Sequence, residues 1–140
     1  LHPDWPERGS RRFEIGPEEG EVVFWVSSDD LNILGKGKTI RFMGLFNFRV
    51  ESVGEQLIEA VFHGETYEEA KKLGAPLIHW IPADTGIPCE VVMPDASVAK
   101  GIAEDICRKL CSNDIVQFER FGFARIDSLD KKLTAYFTHR

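Results

Sequence analysis

Apolar and polar residues alternate from Asp114 to Ser128, which is typical of a β-strand with one face on a core. Gly122 interrupts the alternation, and we expect a bend or bulge there. The pattern places Gln117 and Arg120 on a rigid strand among aromatic residues. An amide and a guanidinium in such surroundings are suited to reading an unstacked nucleic-acid base.

The segment from Thr39 to Val50 has the longest strand pattern in the chain. Gly44 lies midway along its apolar face, where a glycine lets a long strand coil into a small barrel. The segment from Gln56 to His63 follows a turn and is expected to form a hairpin with it. The opposite face carries Arg41 and Arg49, and the pattern alone predicts that both are solvated.

Two short helices are predicted between the strands. Thr66 and Glu69 belong to a capping box, and Gly74 ends the helix that begins there. A second helix is predicted from Ile102 to Leu110. The other predicted strands are Glu21 to Val26, Pro76 to Pro82, Ile87 to Met93 and Leu133 to Phe137. Many short strands with two short helices indicate an all-β protein of small barrels.

Residues 1–20 are interpreted as an extended lead-in from a preceding domain, because they contain Pro3, Pro6 and Pro17 and several glycines. The chain begins with Leu1 rather than Met, and we expect it to be a piece of a longer protein. It contains no apolar run near the roughly 20 residues that span a bilayer. A basic-then-apolar leader is also missing from the sequence, so no membrane partner is expected.

The composition supports a folded protein of modest size. The chain has 140 residues, of which 43% are hydrophobic, and this is enough for a packed core. Its net charge of −6 argues against a generic nucleic-acid binder. The charge is uneven, since residues 1–99 contain 9 Lys/Arg and 17 Asp/Glu whereas residues 100–140 contain 8 and 6. An RNA contact should therefore be local and lie toward the C-terminal part.

No catalytic constellation can be assembled from the sequence. The four histidines lie far apart and lack the spacing of metal ligands. Cys107 and Cys111 would supply half of a metal site, but no second pair completes it, and ordinary thiols are the better interpretation. Together with Cys89 they make an odd number, which suggests free thiols in a reducing cytosol. The segment Gly35-Lys36-Gly37-Lys38 lacks P-loop spacing and is interpreted as a turn.

Most aromatic residues are assigned to the core. Trp80 lies in a buried strand pattern, and His79 beside it is interpreted as a structural hydrogen-bonding residue. The other aromatic residues assigned mostly to the core are Phe42, Phe46, Phe48, Phe118 and Phe123.

Three segments, in this order along the chain, together resemble one family. They are residues 38–47, residues 75–82 and residues 114–128, and the likeness extends to the lead-in and to residues 135–140. The chain is similar to the C-terminal anticodon-binding region of glutamyl-tRNA synthetase of the archaeal and eukaryotic type, which is itself similar to that of glutaminyl-tRNA synthetase. The resemblance covers nearly the whole sequence.

The resemblance implies an all-β fold of two small intertwined β-barrels with two short helices, of the type found in the C-terminal region of glutaminyl-tRNA synthetase and in a ribosomal protein. Residues 21–140 would form a proximal and a distal barrel, with the C-terminal strands returning to the proximal one. The parent enzyme would join glutamate to its tRNA with ATP and Mg²⁺. The catalytic signatures of that family are missing here, so the fragment should bind RNA, need no cofactor and have no aminoacylation activity.

The resemblance also implies functional residues. Gln117 and Arg120 match the family's Gln and Arg at the anticodon, where the Gln contacts the middle uridine; Arg41, Arg49 and Arg125 are further candidates, chosen on charge and strand face. Glutaminyl enzymes have arginines where this chain has Met43 and Ala96, which favours the glutamyl type.

The expected partner is glutamate tRNA, and glutamine tRNA is left open as a second partner. The protein is expected to be a cytoplasmic monomer that does not bind DNA. The alternatives are a glutaminyl-type anticodon region, a protein-docking module and a self-contained RNA-binding barrel.

Overall fold

The computed structural model describes Gly16 and residues 20–140. The predicted lead-in therefore lies almost wholly outside the described residues. Two compact units are present: one is Trp25–Trp80, and the other combines Ile81–Arg140 with the described residues before Trp25. Among the described residues no helix is long and apolar enough to cross a membrane.

The Trp25–Trp80 unit contains a four-stranded sheet of β2 (Thr39–Phe42), β3 (Asn47–Val53), β4 (Ile58–Gly64) and β5 (Leu77–Ile78). Their order in the sheet is β4-β3-β2-β5. Strand β2 pairs antiparallel with β3 and parallel with β5, and β3 pairs antiparallel with β4. A short 3-10 helix at Ser28–Asp30 precedes them, and α1 (Tyr67–Lys72) lies between β4 and β5. The predicted pairing of residues 56–63 with the preceding strand is confirmed.

The prediction of one long strand from Thr39 to Val50 is wrong, because the chain reverses between β2 and β3. Gly44 has a φ of 71°, a left-handed conformation that glycine adopts readily, so it makes a tight turn instead of a coil in a continuous strand. The Phe42 amide donates to the Phe46 carbonyl at 3.0 Å across the turn. The Trp80 indole N–H donates to the Met43 carbonyl at 2.9 Å. The alternation of apolar and polar residues in the strands cannot predict this bond, because Trp80 lies far along the chain from Met43.

The capping box of α1 is confirmed. The Thr66 hydroxyl accepts from the Glu69 amide, and the Glu69 carboxylate accepts from the Thr66 amide, both at 3.3 Å. Gly74, with a φ of 60°, follows the helix, as predicted for its end. Ala70, within α1, is fully buried and contributes to the core of the unit.

The core of the Trp25–Trp80 unit is aromatic and aliphatic. The Phe42 ring lies 4.5 Å from that of Phe48 and 5.9 Å from that of Trp80, measured between centroids. Ile40 and Ile78 are fully buried beside these rings, on neighbouring strands. The core assignments of Phe42, Phe48 and Trp80 are therefore confirmed.

The second unit contains a five-stranded sheet of β7 (Ile87–Val92), β8 (Val98–Ala103), β9 (Ile115–Phe118), β10 (Gly122–Leu129) and β11 (Leu133–His139). Their order in the sheet is β8-β7-β11-β10-β9. All neighbouring pairs are antiparallel except β7 and β11, which are parallel. Strands β1 (Phe24–Val26) and β6 (Trp80–Pro82) form a separate two-stranded sheet.

The inner face of the five-stranded sheet carries a buried cluster. Its members share a small or aliphatic side chain and alternate along the strands: Ile87, Cys89, Val91, Ala103, Ala124, Ile126, Leu133 and Ala135. Val116, Phe118 and Phe137 pack against this cluster and are partly buried. The opposite, outer face of the sheet is consequently formed by the alternate residues of each strand.

Three further sequence predictions need correction. The helix predicted from Ile102 to Leu110 is wrong: Ile102 pairs with Pro88 in β8, and only Asp105–Lys109 forms a 3-10 helix. Pairing with β7 overrides the weak local helix pattern. The strand from Pro76 to Pro82 is interrupted at His79, since β5 and β6 belong to different sheets. The run from Asp114 to Ser128 is not one bent strand but the β9–β10 hairpin. The all-β class is confirmed, whereas the two intertwined barrels and their boundaries stay predictions.

Candidate nucleic-acid interface

Gln117 lies on β9, the edge strand of the five-stranded sheet. Val116 and Phe118 face the buried cluster, whereas Ile115 and Gln117 are exposed. The period of two along a strand therefore places Gln117 on the outer face, with its carboxamide accessible from solvent. Among the described strands β9 has a neighbour in this sheet on one side only.

Arg120 does not lie on a strand, contrary to the sequence interpretation. The chain turns over between Phe118 and Gly122, and the Phe121 amide donates to the Phe118 carbonyl at 3.1 Å. Arg120 has a φ of 63°, which is uncommon for a residue with a side chain. It is exposed at the tip of the hairpin, only three residues after Gln117. Arg120 thus belongs to the turn that follows the edge strand β9, and the alternation pattern does not encode the conformation of this turn.

Cross-strand register brings further side chains to the outer face. Gln117 is directly opposite Phe123, and Phe123 is opposite His139. In the neighbouring row, Ile115 is opposite Arg125, which is opposite Tyr136. Paired residues in antiparallel strands project to the same side of the sheet. The outer face therefore contains one row of Gln117, Phe123 and His139 and a second row of Ile115, Arg125 and Tyr136.

Arg125 is held by two contacts. Its Nη1 donates to Asn113 Oδ1 at 2.8 Å, and its guanidinium carbon lies 5.4 Å from the centroid of the Tyr136 ring. Asn113 has a φ of 75°, a conformation that asparagine tolerates better than most residues. Arg125, which is half-buried, is consequently oriented, while Tyr136 stays 42% exposed. A cation over an aromatic ring offers a flat surface and a positive charge in one place.

The Phe123 and His139 rings are stacked, with centroids 4.6 Å apart and an angle of 10° between their planes. Phe123 is only partly buried and His139 is exposed. The core assignment of Phe123 therefore needs correction, because its position opposite Gln117 and its stacking on His139 put the ring on the outer face. Phe118, on the inner face, packs against the buried cluster as predicted.

A group of charged residues lies farther along the outer face. Glu90 on β7 forms ion pairs with Lys132 and with Lys100, the latter at 3.8 Å. The hydrogen bond from Lys132, followed by the charges of Lys132 and Lys100, lowers the pKa of Glu90. The carboxylate is therefore ionised at neutral pH, and two cations accompany one anion there.

Arg41 and Arg49 belong to the other unit. The prediction that Arg41 is solvated is wrong, since the residue is only 8% exposed. Its Nη1 donates to Asn47 Oδ1 at 2.8 Å and to the Glu65 carbonyl at 3.0 Å, and its Nη2 donates to the Leu45 carbonyl at 3.4 Å. Arg49 on β3 is exposed, as predicted, between Thr39 and Val61 of the adjacent strands.

The three cysteines are free thiols in the same unit as Gln117. Burial, followed by the proximity of Cys107 and Glu90, raises the pKa of Cys89 to about 11. Burial, followed by Glu104 and Asp105, raises the pKa of Cys107 to about 11 as well. In the part of the chain that the structure describes, no group of three or more His, Cys, Asp or Glu residues could hold a metal ion.

Sequence reasoning overlooked His139 and Tyr136. Alternation along β11 marks Tyr136 as outward-facing, so this residue could have been found from the pattern. His139 could not, because alternation would place Thr138 on the Tyr136 face and His139 on the other. A register shift between Phe123 and Ala124 moves the partner from Phe137 to His139 and leaves Thr138 bulged.

The fold and this face together define an all-β binding module with a polar and aromatic sheet surface. Two family models, both described as class I tRNA synthetase (E and Q) anti-codon binding domains, match residues 1–65 and 77–127. The chain belongs to the anticodon-binding domains of the class I tRNA synthetases for glutamate and glutamine.

Several curated proteins are similar over the whole chain. Glutamate–tRNA ligases of Pyrococcus horikoshii and Pyrococcus abyssi are 44% and 43% identical to it over 144 residues. The glutamate–tRNA ligase of Methanothermobacter thermautotrophicus is 42% identical over 140 residues. In each case the match covers 100% of this chain but only 23% to 24% of the relative. The chain therefore spans about a quarter of the length of these relatives.

Proposed function

We propose that this chain is the anticodon-recognition part of a glutamate–tRNA ligase and binds the anticodon loop of glutamate tRNA. In the whole protein it orients that tRNA for ATP-dependent joining of glutamate. We place the use of ATP and Mg²⁺ in the remainder of that enzyme, which we take to be a cytoplasmic monomer. The support is the family membership together with glutamate–tRNA ligases as full-chain relatives.

Within the chain, the observation that carries the proposal is the position of Gln117 on the open outer face, opposite Phe123. Uracil presents one N–H donor between two carbonyl acceptors, and a carboxamide both donates and accepts against such an edge. An unstacked loop base could reach this position from beyond the edge strand. We therefore assign the reading of the middle anticodon base to Gln117.

The arginine candidates differ in what their surroundings favour. Arg120 at the hairpin tip and Arg125 on the outer face are placed to contact RNA near Gln117, through phosphate or by stacking on a base. Arg49 is exposed in the other unit and is proposed as a peripheral contact. Arg41 is proposed to support the anticodon-binding fold, because its guanidinium donates to three internal acceptors.

The first experiment is a filter-binding titration of the 140-residue chain with glutamate tRNA. Gln117→Ala is expected to weaken binding by on the order of 1–3 kcal/mol through lost base recognition. Gln56→Ala, which removes an exposed carboxamide elsewhere, is the matched control and should bind normally. Equal affinity of the wild type for transcripts with and without the central uridine would refute the role of Gln117.

The second experiment measures how the affinity depends on salt. If Arg120 neutralises a phosphate of the loop, Arg120→Ala should reduce the slope of log K against log salt by about 0.7. Arg108→Ala is the control, because Arg108 is an exposed arginine outside the β9–β10 hairpin. An unchanged slope for Arg120→Ala would remove the phosphate contact from the proposal.

The substrate of the whole enzyme is tested by aminoacylation of glutamate and glutamine tRNAs with the full-length protein. Charging of glutamate tRNA with glutamate is expected. Charging of glutamine tRNA with glutamine would instead establish the glutaminyl type.

A further inference from the structure

The row of His139, Phe123 and Gln117 crosses three neighbouring strands. Within this row, the rings of His139 and Phe123 are separated by the distance typical of stacked aromatic rings. The two ring centroids are 4.6 Å apart, close to the separation of about 4.8 Å between adjacent strands. The two rings therefore stack face to face on the outer face, each belonging to one of two adjacent strands. The next position in this row, one strand farther toward the edge of the sheet, is occupied by Gln117.

This pair differs from the aromatic pairs whose two rings both lie in the part of the chain that the structure describes. The six other described ring pairs are inclined by 39° to 85°, as is usual for packing within a fold. Phe123 and His139 are inclined by only 10°. A nearly parallel pair on a solvent-facing sheet surface extends naturally into a third flat ring, which is how bases stack on the aromatic residues of RNA-binding sheets.

The bulge at Thr138 builds the pair. In a regular continuation of the β10–β11 ladder, Thr138 would lie opposite Phe123; the register shift puts His139 there instead. The Thr138 hydroxyl donates to the Phe123 carbonyl at 3.0 Å and lies 3.2 Å from His139 Nδ1. With its own proton on that carbonyl, the hydroxyl accepts from Nδ1–H, which orients the imidazole against the Phe123 ring.

We propose that Phe123 is a base-stacking residue for the nucleotide whose edge Gln117 reads, with His139 supporting its other face and Thr138 orienting His139. The base lies above Gln117, parallel to the Phe123 ring, and its Watson–Crick edge points toward the carboxamide. This inference rests on the proposed anticodon-binding function and adds a second type of contact to it. Stacking is tolerant of base identity, whereas the carboxamide contact is selective.

The test uses the 140-residue chain and an anticodon stem-loop RNA, with variants of both. Phe123→Leu keeps an apolar side chain but removes the ring, and it is expected to weaken binding about 5-fold to 150-fold. Phe123→Tyr keeps the ring and should bind like the wild type. With an abasic nucleotide at the middle anticodon position, Phe123→Leu should cause no further loss, because the base it contacts is already gone.

His139 is a positioning residue and has its own variants. His139→Ala should weaken binding about twofold to tenfold, the range of an aromatic pair, and His139→Phe should restore it. His63→Ala is the matched control, since His63 is an exposed strand histidine in the other unit. Thr138→Val is expected to resemble His139→Ala, and Thr138→Ser to resemble the wild type.

A fluorescent base makes the test independent of whether the variants fold. With 2-aminopurine at the middle anticodon position, binding to the wild-type chain should quench the fluorescence, because stacking on a ring quenches this base. Brightening on binding would overturn the proposal, as would equal losses of Phe123→Leu on normal and abasic RNA. If the wild type does not bind the stem-loop at all, the proposed function itself fails; if it binds and only the Phe123 effects are absent, the stacking inference alone fails.

Discussion

The four-stranded sheet of the Trp25–Trp80 unit and the five-stranded sheet of the other unit each present an arginine to an asparagine. In the first, Arg41 Nη1 donates to Asn47 Oδ1 at 2.8 Å; in the second, Arg125 Nη1 donates to Asn113 Oδ1 at the same distance. Arg41 is 8% exposed and donates to two backbone carbonyls as well. Arg125 lies half-buried on an outer face beside Tyr136.

The difference shows that surroundings, not residue type, decide whether an arginine is available to a ligand. Asn47 is fully buried and also donates to the Thr66 carbonyl at 2.9 Å, so Arg41 joins the β2–β3 turn to the start of α1. Arg125 contacts Asn113 and Tyr136 and lies half-buried on the outer face of its sheet. The first arginine should therefore matter for stability and the second for binding.

The largest expected effect is the loss of stability on replacing the buried arginine, Arg41. Arg41→Leu leaves the Asn47 amide oxygen and the Glu65 carbonyl without their donor, and we expect it to lower the free energy of unfolding by about 3 kcal/mol. Arg49→Leu, on the same sheet but exposed, should change stability by less than about 0.5 kcal/mol. Urea denaturation followed by circular dichroism measures both. Equal stability of the two variants would break the distinction between a buried and a surface arginine.

A smaller effect is expected at the hairpin of the other sheet. A Cβ on Gly122 would lie 2.7 Å from the Phe137 ring and 2.9 Å from the His139 carbonyl, and Gly122 has a φ of 144°. Gly122→Ala should therefore destabilise by about 2 kcal/mol. It should also weaken RNA binding, because His139 must shift.

Gly101→Ala is the control for that variant, since a Cβ there meets nothing within 4 Å. Normal RNA affinity of Gly122→Ala, combined with normal stability, would show that the strand end can yield without disturbing the outer face.

The smallest expected effect is a difference in alkylation rate among the three cysteine thiols. This difference reports on one unit alone, because all three cysteines lie in it. With their pKa values at about 11, Cys89 and Cys107 are only about one-thousandth ionised at pH 8. Iodoacetamide should modify the exposed Cys111 first and the other two slowly, as followed by mass spectrometry.

The same labelling sharpens the Arg41 experiment. If Arg41→Leu opens only its own unit, protection of Cys89 should persist; rapid modification of Cys89 would show that the two units open together.

The raised pKa values also set a pH dependence. Cys89 and Cys107 each have a folded-state pKa above the ordinary 9.0, so their contribution to stability is complete below pH 9 and is lost as the pH rises through 11.

Local signals were sufficient for several elements of the fold. The capping box at Thr66 and the end of α1 at Gly74 depend on residues a few positions apart, and both are confirmed. The exposed side of Gln117 follows from alternation over four residues of β9. Reversals of chain direction were harder to predict, because a glycine in an alternating run of residues is compatible with a bulge, a bend or a tight turn. At Gly44 and immediately before Gly122 the chain makes a turn between two strands.

What the amino-acid sequence determined by itself is the all-β class, the inward and outward faces of single strands, and the family to which the chain belongs. These depend on local period and on motifs that lie in order along the chain. Tertiary structure alone decided that Arg41 is internal, that Arg120 lies in a turn and that His139 stacks on Phe123. Each of these results from a contact between residues on different strands or loops, or from a bulge, and a one-residue shift in pairing changes which side chain faces the solvent.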